Sequence, residues 1–360
     1  MAAVNESLKR FGSIANPFLR IWGPCKSGPI GVDIGDDVVK IAQLAANEKA
    51  VKLVAGGSRN RPDTIEPGSA EWQRWAITAL GELVGTANYK GRKIAAVIPP
   101  WDVFIDHIRM PGLSETSADT SDGQTVQKGS QEKTQAAVLS KIKNKLPFEP
   151  DEAMVKYIPA EDDNVVVIAA QRKHIDRHLA IYEKTNLQIS SIAVWPVALA
   201  NCYVHFFGRR KSDIDTVVML VDIDADRTNV VICRHKNLLF AQSICIGAQQ
   251  LAIPDEKPGK KSKSEPVQDE IIARLVLELA GCRRHFASMY KKARIERLIF
   301  LSGQAVDKQV YAIIAKQLEL PAQIGDCLAA VEIGSSANGA GIDRRGCQIN
   351  WATAFGLSLS

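Results

Sequence analysis

Residues 30–40, IGVDIGDDVVK, run through a short apolar stretch to Asp33, turn through Gly35 and resume an apolar run at Val38. That is the pattern of two β-strands joined by a tight acidic turn. Residues 217–232, VVMLVDIDADRTNVVI, repeat it, with Asp222-Ile223 where the first copy has Asp33-Ile34. Each copy continues into a further strand, through Val38–Leu44 and Val51–Ala55 in the first and Thr228–Cys233 and Leu238–Ile246 in the second. The sequence therefore predicts two three-stranded meanders and a divergent internal duplication.

A tight turn between strands exposes backbone N–H groups as an anion-binding nest, and an aspartate at the strand end can hold a phosphate-bound magnesium through water. The plainer reading of Asp33 and Asp222 is a carboxylate that caps its own turn. Two such meanders, one per half, resemble the phosphate loops of the actin, Hsp70 and sugar-kinase superfamily, where a loop from each half faces a nucleotide across a cleft.

At 360 residues the chain exceeds one ordinary domain, and two related halves with one insertion account for the length. Hydrophobic content of 46% and charged content of 24% are those of a globular protein. No apolar run approaches the ~20 residues that a membrane-spanning helix needs. A net charge of +5, spread over many segments, leaves no basic footprint for nucleic acid. Seven cysteines without a C-x-x-C pair read as free thiols in a reducing cytoplasm.

Residues 1–28 form a basic, aromatic leader broken by Gly12 and Pro17, expected to lie loosely on the body or to tether it to a membrane surface. A helix is expected over about Ala70–Gly85 with Trp72 and Trp75 inward, then a buried strand at Ile94–Ile98. Val103–Arg109 alternates as a strand. Residues 114–134 are almost wholly polar and are expected to be a surface insertion, with a helix following over about Lys133–Leu146. Strands at Met154–Ile158 and Val165–Ala169, a helix at Lys173–Thr185 and a strand at Leu187–Val194 complete a compact α/β module over 94–190. The lysine- and proline-rich run Pro254–Pro266 reads as a solvated loop. His174 and His178 stand four apart on one helix, a metal-ligand spacing, but among charged neighbours they are expected on a solvated face. Lys40 reads as a strand-edge lysine. No Ser-His-Asp, Cys-His or H-E-x-x-H arrangement supplies a catalytic residue.

The order of elements resembles the PilM family, actin-like cytoplasmic proteins of type IV pilus assembly, from Ile30 to the C-terminus. IGVDIGDDVVKIAQL is similar to the family's first phosphate loop, LVDIDADRTNVVI to the second and IERLIFLSGQA (295–305) to the adenosine loop. HIRMP (107–111), KNKLPF (143–148) and AFGLSL (354–359) match the flanks of its inserted subdomain and its closing helix. The resemblance implies an α/β, actin-like (ribonuclease H-like) duplicated fold with an inserted subdomain shared with FtsA. It divides the chain into a leader (1–28), a first domain (29–93, 191–213 and 341–360), an inserted subdomain (94–190) and a second domain (214–340). It also implies a role: binding the cytoplasmic tail of a PilN-like single-pass membrane protein, with Pro147 and Phe148 at the partner site, at the inner face of the cytoplasmic membrane. The GspL protein of type II secretion is similar but carries a membrane span.

The resemblance places ATP and magnesium at Asp33, Gly35, Asp36, Asp37, Lys40, Asp222, Asp224, Thr228, Ser302, Gly303 and Gln304, with Asp33 and Asp222 toward the metal. Asp36-Asp37, Asp224 and Gln304 put charge or bulk where the family has small residues, so the expected ATP site is degenerate, with ATPase activity weak or lost. Two other classes share the fold, an FtsA-like filament former and an ATP-dependent small-molecule kinase.

Overall fold

A computed structural model describes residues 26–47, 50–111, 124–252, 265–303, 306–333, 342 and 349–360. Most of the leader, the start of the polar insertion, most of the lysine-rich loop and Gln304 lie outside the described residues. The first strand is longer than expected and takes in the end of the leader: β1 spans Lys26–Ile34. With β2 (Val38–Ala46) and β3 (Val51–Asn60) it forms the first meander.

Helix α1 (Ala70–Thr86) starts at Ser69, whose hydroxyl accepts from the Trp72 N–H at 3.0 Å. Its buried stripe of Trp72, Ala76, Ala79, Leu80 and Leu83 lies on the sheet, with Trp75 only partly covered. β4 (Lys93–Ile98) then pairs parallel with β1. A single turn of 3₁₀ helix at Pro100–Asp102 leads out into β5 (Val103–Arg109), helix α2 (Gln124–Ile142), β6 (Ala153–Pro159) and β7 (Asn164–Gln171). Helix α3 (Arg172–Lys184) leads back to β8 (Gln188–Val194), parallel to β4.

The second half repeats the plan. Helix α4 (Trp195–Phe206) crosses to the meander β9 (Val217–Ile223), β10 (Thr228–Arg234) and β11 (Asn237–Ile244). A short α5 (Ala248–Leu251), the long α6 (Glu265–Met289), β12 (Arg297–Phe300), α7 (Lys308–Leu318), β13 (Ala322–Ile324), α8 (Cys327–Ala330), β14 (Glu332–Ile333) and the closing α9 (Ala352–Ser358) follow.

The first sheet has the order β14-β3-β2-β1-β4-β8 and the second β11-β10-β9-β12-β13. Stripped of β14, the two orders are the same, antiparallel through each meander and parallel beyond it. The duplication read from the two acidic turns is thus a duplication of whole sheets. Between the halves lies a core in which α4 and α9 cross at very short range: a Cβ on Gly356 would stand 1.8 Å from the Ala198 carbonyl oxygen, and one on Gly31 2.0 Å from that of Ala354. Only glycine permits those two approaches.

Of the stretch 94–190, residues 103–171 build a separate three-stranded sheet, β5-β7-β6, while β4 and β8 at its ends are strands of the first sheet. Helix α2 covers one face of this module through Val138 and Ile142. It begins at Gln124, well inside the stretch expected to be a surface insertion, because Gln, Glu and Lys are good helix formers even where they supply no apolar stripe. The other face sits against the body. There His107 stacks on Phe240 with centroids 4.4 Å apart, its Nε2 accepts from the Ala241 N–H at 3.1 Å, and Arg234 pairs with Glu161. Burial, with His285 adding to it, lowers the His107 pKa to about 4, so the ring stays neutral and able to accept. No helix among the described residues is long and apolar enough to cross a membrane.

Candidate functional site

The two acidic turns meet. In β1 and β2, Asp33 lies cross-strand from Lys40; in β9 and β10, the equivalent pair is Asp222 and Asn229. The Lys40 Nζ is 2.8 Å from Asp33 Oδ2 and 4.0 Å from Asp224 Oδ1 of the opposite turn. Lys40 is therefore no strand-edge lysine. It is 2% exposed on an internal strand, and it bridges the halves. Burial alone would lower its pKa, but Asp224 and Asp33 more than offset that and hold it charged.

The carboxylates crowd one another. Burial, then Asp226, pushes Asp36 up to about 6; burial, then Asp224, raises Asp37. Burial also raises Asp33 in spite of Lys40. Asp222 is fully buried; its Oδ1 accepts from Asn350 Nδ2 at 2.6 Å, and its Oδ2 has no partner among the described residues. Burial, then Asp224, raises its pKa to about 7. Arg227 lies on the second turn but forks onto Asp226 at 2.8 and 3.0 Å and stands 5.3 Å from the centroid of the Trp101 ring.

Several residues expected to meet a nucleotide are committed elsewhere. The Gly35 N–H donates to the Val38 carbonyl within its own turn at 2.9 Å, and that of Asp224 to Arg227 O at 2.8 Å. Buried Thr228 donates its hydroxyl to Ile246 O at 2.6 Å, and the buried Ser302 Oγ accepts from the Ile223 N–H. Gly303 has φ +60, a left-handed conformation that suits glycine, and its carbonyl accepts from Tyr311. A polyphosphate in this cleft would meet Asp36, Asp37, Asp224 and Asp226 with Lys40 already paired. As arranged, the residues present do not fit it.

A narrow apolar crevice with room for only about 10 Å³ lies where the first sheet meets the module, lined from β4 and β8 on one side and from β5, β6 and β7 on the other, with β8 and β6 the edge strands of their sheets. Ile98, Val103, Met154, Ile168, Ile192 and Val194 make an apolar slot with Lys156 at its side. Burial lowers the pKa of that lysine. The slot runs on into a cavity of about 470 Å³ lined by Lys93, Leu179, Glu183, Gln188 and Ser190. Phe148 is on the module's opposite face, packed with α2, and Pro147 is exposed beside it, so neither is on the wall of this slot. Alternation along β6 explains this: Val155 and Tyr157 face α2, and Met154 and Lys156 face the slot.

Sequence reasoning missed the cluster that holds the module's exit. His174 Nδ1 is 2.6 Å from Asp102 Oδ1, and His178 Nε2 is 3.1 Å from Asp102 Oδ2, with His178 and Asp102 buried. The expected solvated face is instead a clamp across the entry and exit of the module. The spacing of the histidines was visible, but their partner stands far away in sequence.

Two sheets of one order, each opening on an acidic meander and separated by a cleft, define an actin-like, duplicated α/β fold with an inserted subdomain. Among solved structures the chain is similar to "PilM-PilN type IV pilus biogenesis complex" at a TM-score of 0.69 and 18% identity, over 93% of this chain and 98% of that one. More distant are the ethanolamine utilization protein EutJ from Carboxydothermus hydrogenoformans (TM-score 0.47, 12% identity, 99% and 98% covered) and the cytoplasmic domain of EpsL, an inner-membrane component of the type II secretion system of Vibrio cholerae (0.40, 10%, 78% and 89%). No protein-family model and no curated protein matches the sequence.

Proposed function

We propose that this chain is a cytoplasmic adaptor of the PilM kind, peripheral to the inner-membrane platform of a type IV pilus or type II secretion system. It takes the tail of a PilN-like single-pass membrane protein into the groove between β8 and β6. The observation that supports this most is the pair of strand edges bordering one apolar slot, in a chain whose fold resembles that of a PilM–PilN complex over nearly its whole length. An edge strand offers unpaired backbone groups, so an extended peptide gains main-chain hydrogen bonds from it and seats alternate apolar side chains in the slot. Lys156 favours a peptide with a carboxylate near the slot. The reading rests on a division into a first domain, an inserted subdomain whose separable part is 103–171, and a second domain.

The same reading makes the ATP and magnesium site degenerate. With Asp36 and Asp224 each about 5 Å from a phosphate oxygen, an effective dielectric near 20 gives roughly 3 kcal/mol of repulsion apiece. If two-thirds is screened, about 2 kcal/mol remains, a loss of roughly thirtyfold in affinity.

The test is calorimetric binding of a synthetic peptide carrying a PilN-type cytoplasmic tail. Ile192→Arg and Met154→Arg should each weaken it by about thirtyfold or more, because the new charge would be buried without a partner. Replacing 103–171 by a short linker should abolish binding; Val103 and Ala170 are paired neighbours, so a short linker closes that cut, whereas removing all of 94–190 would take two strands from the first sheet. Unchanged affinity in all three variants would place the peptide elsewhere.

A further inference from the structure

The second sheet has two unlike ends. At one, β9 runs out to Asp222 and the turn that holds Asp224 and Asp226. At the other, Val217 at the start of β9 lies opposite Arg234 at the end of β10, Arg234 lies opposite Asn237 at the start of β11, and Arg297 at the start of β12 lies opposite Val218. The loops that lead into or join these strands therefore share that far end. All of them are basic. The loop between α4 and β9 exposes Arg209, Arg210 and Lys211, and the turn between β10 and β11 exposes Lys236. The loop before β12 adds the exposed Lys291, Lys292 and Arg294. Opposing them are the exposed Asp215, Glu296 and Glu319, since Asp213 is buried against Arg297.

The loops also meet one another. His235 lies against the Gly208 backbone, which brings the β10–β11 turn onto the loop after α4. Burial, then Lys236 and Arg209, lower the His205 pKa to about 4, so cations of two loops converge on one side chain. Charges scattered along the sequence are thus gathered in space, at the end of the strands opposite the acidic cleft. Ile214 follows Lys211 by three residues on the same loop and is 50% exposed. An exposed apolar side chain beside a group of cations suits a surface that offers anionic groups with hydrocarbon just beneath them. A nucleic acid backbone would use the cations alone and leave Ile214 in water.

We propose that this basic end of the second sheet is a docking surface for an anionic lipid bilayer, with Lys211, Lys236 and Lys291 at headgroup level and Ile214 just below it. The proposal deepens the peripheral placement given above and makes no use of the groove. It gives the chain a hold on the membrane that needs no tail peptide.

The test is flotation of the whole chain with protein-free vesicles, either phosphatidylethanolamine mixed with phosphatidylglycerol or phosphatidylcholine alone. The chain should float with the anionic vesicles and not with the neutral ones, and less so as salt rises and screens exposed charges. Each cation near an anionic surface strengthens attachment by about fivefold, so Lys211→Ser, Lys236→Ser and Lys291→Ser together should weaken it by about a hundredfold. Ile214→Ser should weaken it by about tenfold. Lys143→Ser, Lys184→Ser and Lys308→Ser, which remove the same charge elsewhere, should change it little. If the serine variant of the basic end melts early, the three glutamine changes at the same positions serve in its place. No flotation with anionic vesicles at low salt, or equal losses in the two triple variants, would overturn the docking surface. So would a duplex DNA bound as tightly as the vesicles, with Ile214→Ser without effect. Because the vesicles carry no protein, failure here strikes the lipid contact and leaves the tail site to its own titration.

Discussion

The two turns occupy the same place in the same sheet and are neutralised in opposite ways. Asp33 has a lysine as its cross-strand neighbour; Asp222, at the equivalent position, has Asn229 and is further satisfied by Asn350. One carboxylate is therefore balanced by a direct ion pair, which it shares with Asp224 across the cleft, and the other by hydrogen-bonding amides, with Lys40 attracting it only from a distance. Burial raises both carboxyls, Asp33 in spite of its lysine and Asp222 to about 7. A duplicated fold has kept its backbone and moved its charge to one side, so that Lys40 serves both halves.

The largest expected effect comes from removing that shared cation. Lys40→Gln leaves Asp33 and Asp224 without their counter-charge in a buried setting, and breaking a buried ion pair costs about 3–5 kcal/mol. Asn229→Ala, the matching change in the other half, removes a neutral partner and should cost only about 1 kcal/mol. Urea unfolding of the two variants checks the contrast. Equal losses would mean that the halves are neutralised alike.

This asymmetry also explains which parts could be read from the chain. The duplication was legible because Asp33-Ile34 and Asp222-Ile223 each end an apolar strand and open the same meander. The role of Lys40 was not, since its second partner, Asp224, lies in the other half and is brought near only by the packing of the sheets. Asp102 is hidden from His174 and His178 for the same reason. Thr228 and Ser302 look like phosphate ligands in one dimension, but both hydroxyls close gaps between strand ends and loops. Phe148 was placed by family resemblance, and strand alternation, which decides the face, operates on β6 just beyond it.

A second test shifts the charge balance without touching the lysine. Asp36→Ser with Asp224→Gly removes one carboxylate from each turn and lets Lys40 turn from Asp224 toward a phosphate. Mg-ATP affinity should rise by roughly thirtyfold, the converse of the repulsion calculated for those two groups. The readout is direct titration. Micromolar affinity in the unmodified chain, with no gain in the double variant, would show that the carboxylates organise the site and do not block it.

The smallest effect is the most specific, because it depends on pH with a definite sign. Asp222 has an ordinary carboxylate pKa when unfolded and one near 7 when folded, so between about pH 4 and 7 the folded chain binds the extra proton. Its stabilising contribution is complete below the unfolded pKa and is lost as pH rises through 7. Asp36, raised to about 6, has the same sign over a narrower window. Asp222→Asn keeps an oxygen to accept from Asn350 and removes the charge that burial and Asp224 oppose. The shift at face value is about 4 kcal/mol with the attraction to Lys40 already included, and the amide group put in place of the unpartnered Oδ2 is a buried donor without an acceptor, leaving an expected gain of about 1–2 kcal/mol at pH 8. At pH 4 the variant and the parent should unfold at the same urea concentration, because Asp222 is then protonated in the parent too. A variant less stable at pH 8 would show that the Asp222 charge is needed there, and that Lys40 balances the second half as fully as it does the first.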